Sequence, residues 1–317
     1  MADNMSDVLR ERYLIMTTKI GIIGDGHVGC TVAHELIISG LVDDLVMIDV
    51  NEGKVKADAI DFEDAMANLP NHANIIVNDY DALKDADIVI STLGKISLET
   101  QGDRFQELEY NKKQLSPITE SIKNSGFNGI LLVISNPVDA ITSLYQQLTG
   151  LPKEHVIGTG TLLDTARMKK VVAKKFNVDP RSVSGFALGE HGNSQFTAWS
   201  TVKVFEKPIT ELAKNESWQP SDLEDEIRFG GQTVFMGKHY TNYGVSAAGV
   251  RIVRAVLTDS RTELPVSSYQ EKYGTYMSYP AIVGREGIVR KIDLQLTAAE
   301  EELLQKSAEA IKEKSQA

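Results

Sequence analysis

From Lys19 onward the chain alternates short, continuously apolar runs with stretches of helical periodicity, and that rhythm leaves few folds open. The runs are KIGIIG, LVMIDV, NIIVND, DIVISTL and GILLVISN, with one helix reaching Ser39 and another starting at Gly53. Runs that are apolar at every position imply strands buried on both faces, as in a parallel sheet with helices on either side. Right-handed crossovers then generate a doubly wound α/β sheet, over residues 17–158. After HVIGTG the pattern changes. A helix from Leu163 to Phe176 precedes a strand-rich stretch, WSTVKVFEKPI, with a Pro-containing loop. A long segment around Asp222 to Leu257 reads as helical, and YMSYPAIVGREGIVRKIDL reads as a meander of strands. The closing helix runs from Thr297 to Lys314, with Thr297 and Glu300 at capping-box spacing. A second, mixed α+β unit over 159–317 is therefore expected, and 317 residues exceed what one core usually serves.

Composition narrows the partners. A formal net charge of -11 repels phosphate backbones and anionic membrane surfaces, so neither nucleic acid nor membrane is expected. A single cysteine, Cys30, excludes a disulfide framework and fits a reducing cytoplasm. Residues 1–16, MADNMSDVLRERYLIM, form a polar extension without the apolar core of a signal peptide. It reads as a plain extension more readily than as a docking arm for a neighbouring subunit.

GIIGDGHVG places Gly24, Gly26 and Gly29 in Gly-x-Gly-x-x-Gly order directly after a strand and at the start of a helix. Gly24 permits the tight turn, Gly26 lets a pyrophosphate approach the backbone, and Gly29 lets the helix lie close to the sheet. The helix N-terminus then presents free amides to the phosphates. Asp49 ends the next strand, twenty positions after Gly29. A carboxylate there accepts ribose hydroxyls and repels a 2′-phosphate, so NAD is preferred to NADP. Val28 within the motif and Gly94 after the DIVISTL strand join this expected cofactor-binding set. FAD and nucleotide-sugar enzymes share the fingerprint, which by itself does not choose a reaction.

The second half supplies reactive groups. In GEHGNS, His191 sits in a Gly-bounded loop with no apolar periodicity to bury its ring. Asp164 and Arg167 lie three apart on one helix face and can meet one cavity, although a plain intrahelical ion pair has the same spacing. A neutral imidazole can take a proton from an alcohol, and a carboxylate on its other nitrogen fixes the tautomer. Asp164 is the candidate carboxylate. A guanidinium can clamp a substrate carboxylate through two parallel hydrogen bonds, which suits Arg167. Arg104 follows LGKISLETQGD, a polar stretch after a sheet strand, where a lid would bring positive charge to a carbonyl oxygen and expel water. Asn136, in VISNPVD, is read as ending the last strand of the first unit, where its amide can reach the substrate oxygen or the nicotinamide. Pro137 fixes the turn that follows. No metal is expected. A non-catalytic NAD sensor remains the reading of a different class, and it would need no general base.

GIIGDGHVG, ISNPVD, IGTGTLLDTAR and GEHGNS together resemble the L-lactate/malate dehydrogenase family over nearly the whole length from Lys19. Within it, IDFEDAMANL, VIGTGTLLDTARM, DPRSVSG and LGEHGNSQFTAWSTV are most similar to the L-2-hydroxyisocaproate dehydrogenase branch. The resemblance implies NAD-dependent hydride transfer at C2 of a small 2-hydroxy or 2-oxo monocarboxylic acid, with His191 as proton donor and acceptor. Asp164 would be its partner, Arg167 the carboxylate anchor and Arg104 the lid arginine. Asn136 and Thr241 would line the substrate pocket, while Asp49 and Lys54 flank the adenosine half. A homotetramer is implied, with a dimer next. Malate-using members carry a second lid arginine where this chain has Ser97, so a second substrate carboxylate would lack its counter-charge. Ser97 also replaces the glutamine of typical lactate enzymes and suggests room for a branched or medium-length aliphatic side chain, with lactate as the alternative substrate. Members activated by fructose 1,6-bisphosphate carry a histidine where this chain has Ser184, which argues against such activation.

Overall fold

The computed structural model describes residues 17–94, 105–214 and 216–316. Six strands form its parallel centre: β1 (Lys19–Ile23), β2 (Asp44–Ile48), β3 (Asn74–Val77), β4 (Ile88–Ser91), β5 (Ile130–Val133) and β6 (Val156–Gly158). They lie in the order 3-2-1-4-5-6, a Rossmann sheet. Five helices belong to the first part of the chain: α1 (His27–Ile38), α2 (Glu52–Met66), α3 (Phe105–Ser125), α4 (Val138–Thr149) and α5 (Leu162–Phe176). The expected continuous apolar runs are explained by burial on both faces. Ile20, Ile22, Leu45, Met47, Ile90 and Leu132 pack with Val32 and Leu36 of α1. Ile23, Val46, Val89, Leu131 and Val133 pack with Leu115 and Ile122 of α3 and with Ile141 and Tyr145 of α4. Each such side chain contributes roughly 1.5–3 kcal/mol of burial.

The remaining strands are β7 (Val183–Ser184), β8 (Ala187–Leu188), β9 (Phe196–Thr197), β10 (Lys203–Val204), β11 (Lys207–Pro208), β12 (Thr262–Gln270), β13 (Thr275–Gly284) and β14 (Gly287–Lys291). The last three extend the Rossmann sheet to nine strands, since β12 pairs antiparallel with β6 through Ser267 opposite Gly158. The long helices of this part are α6 (Glu224–Lys238), α7 (Tyr243–Leu257) and α8 (Ala298–Gln316), and a single helical turn forms at Ile209–Leu212.

Several sequence readings are corrected here. Asn136 follows β5, and β6 comes after it, so it does not end the last strand of the parallel set. The helical segment from Asp222 to Leu257 is two helices, because His239 takes a left-handed φ of 63° and stops α6. WSTVKVFEKPI holds only the two-residue strands β10 and β11. Strand β12 has no counterpart in the sequence reading. Its Pro265 argues against a central strand, but Pro265 lies opposite Pro280 of β13. Two facing prolines occupy a non-hydrogen-bonded pair, where no amide is needed.

The closing helix starts as expected. Thr297 N and Oγ1 donate to Glu300 Oε2 at 2.8 and 2.9 Å, and Glu300 N donates to Thr297 Oγ1 at 3.3 Å. Thr297→Ala should lower the unfolding free energy by about 1 kcal/mol, within the range for lost N-caps. Urea unfolding checks this, and an unchanged midpoint would show that the box contributes nothing.

Candidate active site

The glycine-rich turn lies at the C-terminal ends of β1 and β4, where the strand order reverses. Gly24 has φ 101°, and Thr92 Oγ1 donates to its carbonyl at 2.5 Å. A Cβ on Gly29 would stand 1.9 Å from the Gly24 oxygen, so only glycine lets α1 come this close. A Cβ on Gly26 would meet nothing within 4 Å, and α1 has no side-chain N-cap. Open space before uncapped amides suits a pyrophosphate. Asp49 is fixed beside it, its Oδ2 accepting from Asp25 N at 2.6 Å and its Oδ1 from Asn51 N at 2.7 Å. Val28 is half-buried, and Gly94 is exposed beyond β4. The residues present fit a dinucleotide.

Lys54 is not free to face solvent alone. Its ammonium binds Asp25 Oδ2 at 3.0 Å and also contacts Asp58. Burial lifts Asp25 to about 7, with Asp58 adding to the rise and Lys54 pulling against it. Asp25, Asp58 and Cys30 bring ligand-type atoms within 4.8 Å of one another, but the ammonium already bridges both carboxylates.

A cavity of ≈1020 Å³ lies between the end of β5, the start of α5, the histidine loop and α6. His191, Asp164, Arg167, Asn136 and Thr241 all line it. His191 Nδ1 meets Asp164 Oδ2 at 2.6 Å, while Arg167 Nη1 donates to Asp164 Oδ1 at 2.8 Å. Both readings of the Asp164–Arg167 spacing are thus realised, for the pair is an intrahelical salt bridge and also faces the cavity. Asp164 is 1% exposed. Burial opposes its ionisation, yet the charges and hydrogen bonds of His191 and Arg167 prevail and hold it at about 2. Asn136 accepts from Asn111 Nδ2 at 2.7 Å through its main-chain oxygen. Its side-chain Oδ1 is buried without a partner among the described residues. Arg104 and Ser97 lie outside the described residues.

Sequence reasoning missed the supports of the histidine loop. Asp139, in the first turn of α4, accepts from His191 N at 2.8 Å and from Ser267 Oγ at 2.6 Å. Burial raises Asp139 to about 6 despite those donors. Gly189 exchanges two main-chain hydrogen bonds with Ser278 of β13, both 3.1 Å. An acid in the otherwise buried start of α4 was the available signal for Asp139. The partners Ser267 and Ser278 had none, because both lie on strands far along the sequence from the residues they bind.

A glycine-rich turn on a Rossmann sheet, with an acid-held imidazole and a guanidinium at one cavity, fits the class of NAD-dependent 2-hydroxyacid dehydrogenases. Family models for the lactate/malate dehydrogenase NAD binding domain and α/β C-terminal domain match residues 18–158 and 161–317, and the chain belongs to that family. It is 36% identical over 307 residues to L-lactate dehydrogenase 2 of Enterococcus faecalis, covering 94% of this chain and 96% of that protein. It is 38% identical over 302 residues to the L-lactate dehydrogenase of Lactobacillus helveticus, covering 93% of each. Among solved structures it resembles the minor L-lactate dehydrogenase of Enterococcus mundtii in ligand-bound form. The TM-score is 0.89 at 36% identity, over 95% of this chain and 98% of that one. The cofactor is NAD. No helix among the described residues is long and apolar enough to cross a membrane.

The low pKa of Asp164 has a consequence for stability. Its folded value of about 2 lies below the ordinary 3.8, so the ionised group stabilises the fold above that ordinary value. The contribution fades as pH falls from 3.8 through about 2. Asp164→Asn should be less stable than the unsubstituted protein at neutral pH, and the gap should narrow over that acid window. Denaturant titrations at stepped pH read it directly; a gap independent of pH contradicts the assignment.

Proposed function

We propose that the chain reversibly interconverts an L-2-hydroxy monocarboxylic acid and its 2-oxo acid, with lactate and pyruvate as the first reading. The observation that carries it is the single buried carboxylate of Asp164 holding both His191 and Arg167 at one cavity. With Nδ1 engaged by Asp164, Nε2 of His191 is left to take the proton of the substrate hydroxyl or to return it. Asp164 stabilises the imidazolium formed in the oxidising direction. Arg167 keeps donors beyond the one on Asp164, and these would grip the substrate carboxylate. NAD, when bound, accepts or supplies the hydride at C2. Gly24, Gly26, Val28, Gly29, Asp49 and Gly94 would hold it, with Lys54 acting from its tie to Asp25. Asn136 would serve both nicotinamide and substrate, Thr241 would line the pocket, and Arg104 with Ser97 would close over it.

The lactate reading draws on the names of the relatives. A second reading, longer aliphatic 2-oxo acids such as 2-oxoisocaproate, is favoured by the cavity walls. Leu163, Phe235 and Val245 face it. Gly231 faces it too, where a Cβ would crowd Arg167 Nη2 at 3.0 Å. One methylene in an apolar pocket discriminates by only about 1–3 kcal/mol, so few side chains decide the order. The units 17–158 and 159–317 are proposed as cofactor and substrate domains. A cytoplasmic homotetramer, with a dimer next, is proposed as the working form. Its assembly is supported by α6, which buries Ile227 while exposing Phe229, Val234 and Met236.

Specificity constants for pyruvate, 2-oxoisocaproate and oxaloacetate, followed as NADH oxidation, test this. Pyruvate highest supports the first reading and 2-oxoisocaproate highest the second, while oxaloacetate highest removes both. His191→Asn should bind NADH normally and lose turnover by on the order of 10²–10⁴-fold. Near-normal turnover in that variant would mean that another group moves the proton.

A further inference from the structure

The histidine loop contains a second buried acid, which the mechanism above does not use. Glu190 is 3% exposed and precedes His191 directly. Its carboxylate accepts from Ser194 Oγ at 2.6 Å and meets the ammonium of Lys314, near the end of α8. Ser307, two turns earlier on α8, accepts from Glu190 N at 2.6 Å. Lys314, Glu190 and His191 all line the cavity. We infer that Lys314 is a positioning residue for the reaction, neutralising Glu190 from the C-terminal helix and so setting the proton balance and placement of His191. The inference rests on His191 being the proton-transfer group.

Between β8 and β9 there is no regular structure to hold residues 189–194, so their placement depends on contacts from distant parts of the same chain. A carboxylate this buried is costly unless paired. Burial pushes Glu190 toward protonation, but Lys314 and Ser194 overcome this and leave it below the usual carboxylate value. Other charges face His191 as well. Asp164 and Arg167 come from α5 and Asp139 from α4; Arg228 comes from α6, its Nη2 donating to the Asn193 oxygen at 3.1 Å. Asp164 is matched by Arg167, and the Glu190 charge, one residue before His191, is matched by Lys314.

Removing either half of the pair leaves an uncompensated charge one residue from His191. In 2-oxo acid reduction the imidazole must start protonated, so activity falls on a basic limb. Lys314→Met leaves an uncompensated anion that holds the proton more strongly, and the limb should move to higher pH by roughly half to one unit. Glu190→Gln leaves an uncompensated ammonium, and the limb should move to lower pH by a similar amount. Loss of loop placement should also reduce kcat about 10- to 100-fold in Lys314→Met, with Lys314→Arg retaining most of it and NADH affinity unchanged. The limb should return in the Glu190→Gln/Lys314→Met double variant. Should Lys314→Met fail to fold, Glu190→Gln carries the test alone. Displacements of opposite sign support the inference, and a limb that stays put in either folded variant overturns it. Absence of turnover in the unsubstituted protein would instead defeat the proposed function, so the two failures are distinguishable.

Discussion

Everything in the cavity depends on one carboxylate being ionised where water cannot reach it. Asp164 sits in the first turn of α5, where the unpaired amides and dipole of the helix favour negative charge. Its two oxygens are divided, Oδ2 to the imidazole of His191 and Oδ1 to Arg167. An unpaired anion so deeply buried would take up a proton. The two donors that keep it charged are therefore also the groups it orients, and neither side of this exchange exists without the other. A helix N-terminus brings the acid to the cavity, and i,i+3 spacing brings the guanidinium with it.

The histidine arrives by a different route. It lies in a loop between two-residue strands, and local propensity cannot define its position. The extension of the parallel sheet by β12 and β13 does so. Ser267 of β12 donates to Asp139, which in turn accepts from His191 N, and Ser278 of β13 holds Gly189. Gly160 packs against the same strands, where a Cβ would stand 2.5 Å from Ser267 N. The nine-stranded sheet thus runs from the glycine-rich turn to the strands that hold the histidine loop, so that packing on either side of β6 reaches the distance between them.

Legibility in the sequence follows the range of the interactions. The turn at Gly24, Gly26 and Gly29, the acid at Asp49 and the pair Asp164 and Arg167 are local patterns, and each is found where its spacing implies. Strand β12 was hidden because a proline at position 265 normally argues against a central strand, and only the matching Pro280 opposite makes it acceptable. The break at His239 to Asn242 was hidden because no proline marks it. A left-handed histidine ends α6, and Asn242 then ties to Thr31 of α1 at 2.9 Å. Lys54 was named only through the family resemblance, and its bond to Asp25 was not legible, since it joins residues 29 positions apart. Asp139, Ser267, Ser307 and Lys314 share this character, each being defined by what the fold brings to it.

The charges around the cavity constrain the kind of acid that enters. Asp164 is balanced by Arg167 and Glu190 by Lys314, so the paired groups sum to neutrality. A substrate carboxylate entering this surround must share the guanidinium of Arg167 with Asp164, because a buried anion needs a donor fork rather than a distant charge. That sharing is possible since one carboxylate oxygen of Asp164 occupies one Nη of the guanidinium and leaves its other donors. Arg228 of α6 also faces the cavity, its Nη2 donating to the Asn193 oxygen. Among the described residues, the arrangement therefore offers the partly engaged guanidinium of Arg167 as an anion-binding group at the cavity.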